Sequence, residues 1–172
     1  MPQEIIPRIK TVSVTKILAA ATAYHAEDVL SESATNGVGT SWTFTSVARQ
    51  EGAGGYITKA HAISEATAVT PRLTLFIFTA APTCELDDHA ANTALLHADL
   101  ANYVGKIDFP AMEDLGTGDS EAVATPSTYG SLPMAFTCAA TSRNLIGVLV
   151  SRDVFTQVAG NDMVIRLTIE QA

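Results

Sequence analysis

The sequence is short of charge, of aromatic rings and of cysteine. Only 16% of its 172 residues are Asp, Glu, Lys or Arg, against about a quarter in a typical soluble domain. Aromatic residues make up 6%, with one Trp, and the two cysteines are Cys84 and Cys138. Ten basic side chains stand against 18 acidic ones, for a net charge of −8. That deficit of cations argues against a general nucleic-acid binder and against a binder of anionic membranes, since both need a basic surface. No run approaches the roughly 18 apolar residues of a membrane helix. The start, Met1-Pro2-Gln3-Glu4, leads into strand-like residues and not into an apolar leader, so no signal peptide is expected. A chain this long can bury roughly 70% of its unfolded surface and needs no disulfide framework. The expectation is two free, mostly buried thiols in a reducing cytoplasm.

What is present is strand signal. Ile9 to Leu18 is rich in β-branched residues and free of Gly and Pro. Trp42 to Val47 alternates with period two, placing Trp42 and Phe44 on one face and Thr43 and Thr45 on the other. Tyr56 to Ile63 follows a Gly-Gly pair. Leu73 to Phe78 is apolar on both faces apart from Thr74, which predicts a central strand buried on both sides. Lys106 to Phe109, Leu132 to Ala139, Leu145 to Val150 and Met163 to Ile169 complete the set. One short helix is predicted after Asn92, from the spacing of Leu96, Leu100 and Tyr103, with Gly105 beyond its end. Residues 110 to 131, with Gly116, Gly118, Pro126 and Gly130, read as one long loop. Short strands with frequent turns and almost no helix predict an all-β fold, an antiparallel β-sandwich or jelly roll. It would form a single domain over 9–172, after an extended arm over 1–8 that carries Pro2 and Pro7.

Reactive constellations are weak. Cys84, His89 and His97 lack the paired spacing of structural zinc sites, and Glu85, Asp87 and Asp88 lack the pattern of a calcium loop. No nucleophile elbow occurs. The adjacent carboxylates Glu113 and Asp114 sit in a Gly-rich segment and point apart, which does not suit acid–base work. Gly52-Ala53-Gly54-Gly55 precedes a strand, where a phosphate loop would precede a helix, and is better read as a hairpin or bulge. Trp42, Phe44, Tyr56, Phe76 and Phe78 lie in apolar runs and are expected in the core. The expectation is no enzyme, no cofactor and no bound metal.

Charge is uneven along the chain. Nine acidic residues fall between Glu85 and Glu121 against Lys106 alone, while Arg8, Lys10 and Lys16 cluster near the N-terminus. Two readings follow: a solvated acidic face with an edge strand guarded by Lys, or a dipolar surface that orients a docking partner.

One segment has a familiar pattern. Gly54-Gly55 precedes a strand; Thr70-Pro71-Arg72-Leu73-Thr74-Leu75-Phe76-Ile77-Phe78 follows, then Ala81-Pro82-Thr83, Asp87-Asp88-His89-Ala90-Ala91 and Val104-Gly105-Lys106-Ile107-Asp108-Phe109. This resembles a group of small structural proteins of tailed bacteriophages, the head-decoration or cement proteins. The resemblance implies a non-enzymatic jelly-roll or sandwich module clamped over joints between major capsid protein subunits. It further implies a homo-oligomer, dimer or trimer, made in the bacterial host cytoplasm and carried on the capsid surface of the virion. Candidate partner contacts are Ile5, Ile6, Pro7, Arg8 and Lys10 of the arm and strand start, and Glu113, Asp114, Leu115, Asp119 and Tyr129 of the long loop. The other readings are a tail, adaptor or fibre-associated virion module, a carbohydrate-binding β-sandwich and, last, a small hydrolase.

Overall fold

The computed structural model describes residues 8–19, 22–127, 132–158 and 160–172. Ile5, Ile6, Pro7 and Tyr129, and with them nearly all of the proposed arm, lie outside the described residues.

The fold is an antiparallel β-sandwich, with one short helix among the described residues. The first sheet is ordered β1 (Ile9–Ile17), β12 (Asp162–Gln171), β5 (Gly54–Ser64) and β8 (Ser120–Ala124), with β9 (Met134–Thr137) pairing the other end of β5. The second is ordered β3 (Val29–Leu30), β10 (Leu145–Ser151), β6 (Leu73–Phe78) and β7 (Tyr103–Asp108), with β4 (Trp42–Phe44) also on β10. A two-stranded ribbon joins β2 (Ala23–Tyr24) to β11 (Phe155–Thr156).

Period-two patterning decides which side of each strand is buried. In β12, Met163, Ile165, Leu167 and Ile169 point inward, and Arg166 and Glu170 point out. They meet Trp42, Phe44, Leu75, Ile77, Leu145 and Leu149 of the second sheet in one continuous core. All six residues of β6 are buried, as the two-sided apolar run predicts. A second cluster explains why: Phe76, Phe78, Val148 and Val150 on the far face pack with Cys84, Leu86, Leu96 and Tyr103. The segment from Thr83 to Tyr103 therefore covers the outer face of the second sheet. Thr74, the single polar residue of β6, donates to Asp108 at 2.7 Å and accepts from Arg152 at 2.9 Å.

Two elements differ from the sequence reading. The helix is a six-residue 3-10 turn, His97–Asn102. Asn92 does not cap it; its side-chain oxygen accepts from the Ala94 amide at 2.8 Å and closes a local turn. Tyr103 and Gly105 belong to β7. The second difference is the long loop over 110–131, which contains β8. A bridge between Glu113 and Glu121 closes a short excursion, and the chain then runs along β5, where Ala122 and Ala124 fit against Ala62 and Ala60.

The Gly-rich segment serves the sheet. Gly54 and Gly55 lie where β5 runs between β9 and β12, and a Cβ on either would collide with the carbonyl oxygen of Phe136 or Glu170. Only Gly52, at φ +70°, is a turn glycine.

Candidate functional site

A cluster of titratable side chains joins the sheet cover to β2 and the loops that follow it. Asp87, Asp88 and His89 sit in a turn of the cover, with His89 in the left-handed region at φ +60°. Asp88 accepts from the Tyr24 hydroxyl at 2.9 Å and from the Ser31 amide at 2.8 Å. Burial pushes its carboxyl above the usual carboxylate range, against the opposing effect of those donors. Asp87 accepts from the amides of Gly37 and Gly39 at 2.7 and 2.8 Å, which hold its carboxyl below the usual range. The His89 ring stacks on Tyr24 with centroids 4.1 Å apart, and Phe155 stacks on Tyr24 at 4.9 Å. The ring nitrogens of His89 lie 3.8 Å from Asp28 and 3.7 Å from Asp88, and Thr22 reaches the second nitrogen at 3.3 Å. Beside the cluster lies an open depression of about 420 Å³ lined by Asn36, Glu85, Asp87, Asp88 and His89.

The chemistry of this arrangement is that of a fastener. Each carboxylate of the Asp87-Asp88 pair accepts two or more donors from a different loop, and the tyrosine hydroxyl is committed to Asp88. Burial and the Asp88 charge push the Tyr24 hydroxyl up, so it stays a hydrogen-bond donor. His89 and His97 do not come together with Cys84 in a ligand set; Cys84 is in the cover's apolar cluster, and Cys138 is in the main core. Both thiols are free. Among the described residues, no group of three or more His, Cys, Asp or Glu is placed to hold a metal ion.

The proposed contact residues are dispersed. Arg8 is exposed and its carbonyl accepts from the Gln171 amide at 2.7 Å, continuing the β1–β12 ladder. Lys10 points to the inner side of β1 and donates to the Ser46 carbonyl at 2.6 Å. Lys16, on the same side, pairs with Glu32 and Thr40, its ammonium 5.5 Å above the Trp42 ring. The N-terminal basic cluster is thus drawn inward at two of its three positions. Glu113 pairs through its backbone with Glu121, Asp114 accepts from the Gly116 amide at 2.8 Å, and Leu115 and Asp119 are exposed. Glu113 to Asp119 forms an unbroken exposed stretch between buried Met112 and Ser120.

The acidic run is only partly a solvated face. Asp87, Asp88 and Asp99 are buried. Asp99 accepts from the Thr83 amide and hydroxyl at 2.8 and 2.9 Å, Asp108 pairs with Lys106, and Glu121 pairs with His61 at 2.6 Å. Of the aromatics assigned to the core, Trp42, Phe44, Phe76 and Phe78 are buried and Tyr56 is half exposed, at 50%. No protein-family model, no curated protein and no solved structure matches this chain.

Proposed function

We propose that this chain is a virion structural protein of a tailed bacteriophage, a decoration or cement protein that binds over joints between major capsid protein subunits and stabilises the shell without catalysing a reaction. The observation that carries this reading is what the residues behind the resemblance do in the fold. Leu73–Phe78 is the doubly buried strand, Asp87 and Asp88 fasten the cover, and Val104 to Phe109 forms most of β7 and the residue after it. Those residues build the frame of the sandwich, and a module that braces a shell needs such a frame.

Outside that frame, apolar side chains are exposed at separate places: Ile9 and Ile17 on β1, Leu100 on the cover, Leu115 in the Glu113–Asp119 stretch, and Val154 and Val158 around β11. Dispersed contacts of this kind suit attachment to more than one neighbour, where many modest interfaces per particle add up. A carbohydrate-binding reading has less behind it, because among the described aromatics Tyr56 alone is exposed for stacking. A tail or adaptor module would use the same surface and is separated by location.

The test is co-sedimentation of the purified protein with empty shells assembled from a tailed-bacteriophage major capsid protein. Saturable binding at a fixed ratio per capsid subunit, with a raised shell melting temperature, is expected. Absence of binding to shells, together with binding to purified tails, would reassign the protein to the tail.

A further inference from the structure

The nine residues of β1 read the same in both directions: Ile-Lys-Thr-Val-Ser-Val-Thr-Lys-Ile, centred on Ser13. Among the described residues the strand is also the outermost of its sheet, paired with β12 on one side only. In an antiparallel ladder, positions alternate between those that exchange both backbone hydrogen bonds with the partner and those that exchange none. The Gln171 amide bonds the Arg8 carbonyl, so Lys10, Val12, Val14 and Lys16 share that phase and turn their amides toward β12. The amides and carbonyls of Ile9, Thr11, Ser13, Thr15 and Ile17 face the free edge. All five side chains are exposed on the outer face of the sheet, with Ile9 at 68% and Ile17 at 56%.

A nine-residue edge whose outward donors and acceptors have no partner among the described residues is a template for another strand. We propose that β1 pairs with β1 of a second copy, antiparallel about a two-fold axis through Ser13, joining the two first sheets into one continuous sheet. A two-fold interface makes residue i meet j and j meet i. Here Ile9 meets Ile17, Thr11 meets Thr15, and Ser13 meets its own copy. Thr–Thr and apolar cross-strand pairs are favourable, and the two exposed isoleucines gain partners at both ends.

On the inner side, Lys10 comes opposite Lys16 of the other copy. Each Lys16 is already paired with Glu32, so the carboxylate that offsets the charge is in place before the copies meet, and Lys10 keeps its own carbonyl acceptor. There is space along the edge: an open groove of about 590 Å³ runs between Val14–Ile17 on one side and Thr40, Ser41 and Thr43 on the other.

This inference concerns the protein alone in solution, so it stands or falls separately from attachment to a shell. The experiment is sedimentation equilibrium over a wide concentration range. The wild-type chain is expected at twice its 18.1 kDa mass. Ser13→Pro removes an edge-facing amide and leaves the β12 ladder its donors, and should give a monomer with native Trp42 fluorescence. Should that variant not fold, two double variants decide. Thr11→Lys with Thr15→Lys sets like charges opposite one another twice and should weaken the dimer by roughly tenfold or more. Thr11→Glu with Thr15→Lys sets opposite charges there and should leave it dimeric. A wild-type monomer at every concentration, a trimer, or a dimer that treats both double variants alike would overturn the proposal.

Discussion

The ring of Tyr24 lies flat against the ring of His89, with planes 4° from parallel, while its hydroxyl donates to both oxygens of Asp88 at 2.9 and 3.0 Å. One side chain thus uses its apolar face and its polar tip on neighbouring residues of the same turn. The two contacts are separable. Tyr24→Phe keeps the stack and leaves the buried Asp88 carboxylate one donor short, which should cost about 1–3 kcal/mol. His89→Asn removes the ring yet tolerates the left-handed backbone, and should cost about 0.5–1.5 kcal/mol. Urea denaturation of the two single variants and the double variant checks both values. The double variant should lose less than the sum if the turn acts as a unit.

Acid should weaken the fold through Asp153 and Asp87. The Arg72 guanidinium, bonded to Asp153 at 2.7 and 2.9 Å, holds that carboxyl down to about 2. An unfolded Asp titrates near ~3.9. The stabilisation from the pair is therefore complete above about pH 4 and is lost as pH falls toward 2. Asp87, lowered by the Gly37 and Gly39 amides, acts in the same direction. Thermal melts between neutral and acid pH should show the decline, and Arg72→Ala should flatten part of it. An unchanged profile in that variant would remove Asp153 from the account.

Gly54→Ala and Gly55→Ala should each destabilise by about 1–3 kcal/mol or more, because the added methyl meets backbone that belongs to a neighbouring strand. Gly118→Ala, where the nearest atom is 3.9 Å away, should stay within about 0.5 kcal/mol of the wild type. Denaturation midpoints followed by the fluorescence of Trp42, buried with its indole N–H on the Leu30 carbonyl at 2.9 Å, supply the comparison.

Neither thiol should react in the native protein. Burial, with the Asp99 charge adding to it, pushes the Cys84 thiol up to about 11, and burial also raises Cys138. At neutral pH about one Cys84 in ten thousand is then thiolate. A soluble thiol reagent should label both cysteines only after denaturant is added. Rapid native labelling of either would contradict the packing described for it.

The strands with strong alternation or two-sided apolar character were legible in the sequence, because burial and period are the same signal there: β6 and β12 are the clearest. β8 was not. Its inward residues are Ser120, Ala122 and Ala124, too small to stand out from a Gly-rich surround, and Ala122 and Ala124 face the equally small Ala62 and Ala60 of β5. The helix was overextended since Leu96, Leu100 and Tyr103 also suit a cover whose apolar side chains reach the sheet by a 3-10 turn and a strand. In the candidate site, Asp87-Asp88-His89 stood out as a patch, but Tyr24, Asp28 and Ser31 are brought to it only by the chain's return past β3. No local spacing encodes that.

The position of β12 has a consequence for how the molecule comes into being. Ile9 pairs with Glu170 and Ile17 with Asp162, and β12 also separates β1 from β5. During synthesis β1 must wait for β12, the last of the described strands, before its sheet has a middle. Until then its apolar and β-branched residues have no native neighbour, and loop closure over almost the whole chain delays their pairing. That sheet is thus committed to waiting for β12 before it can close, and the interval is one in which a chaperone has something to hold.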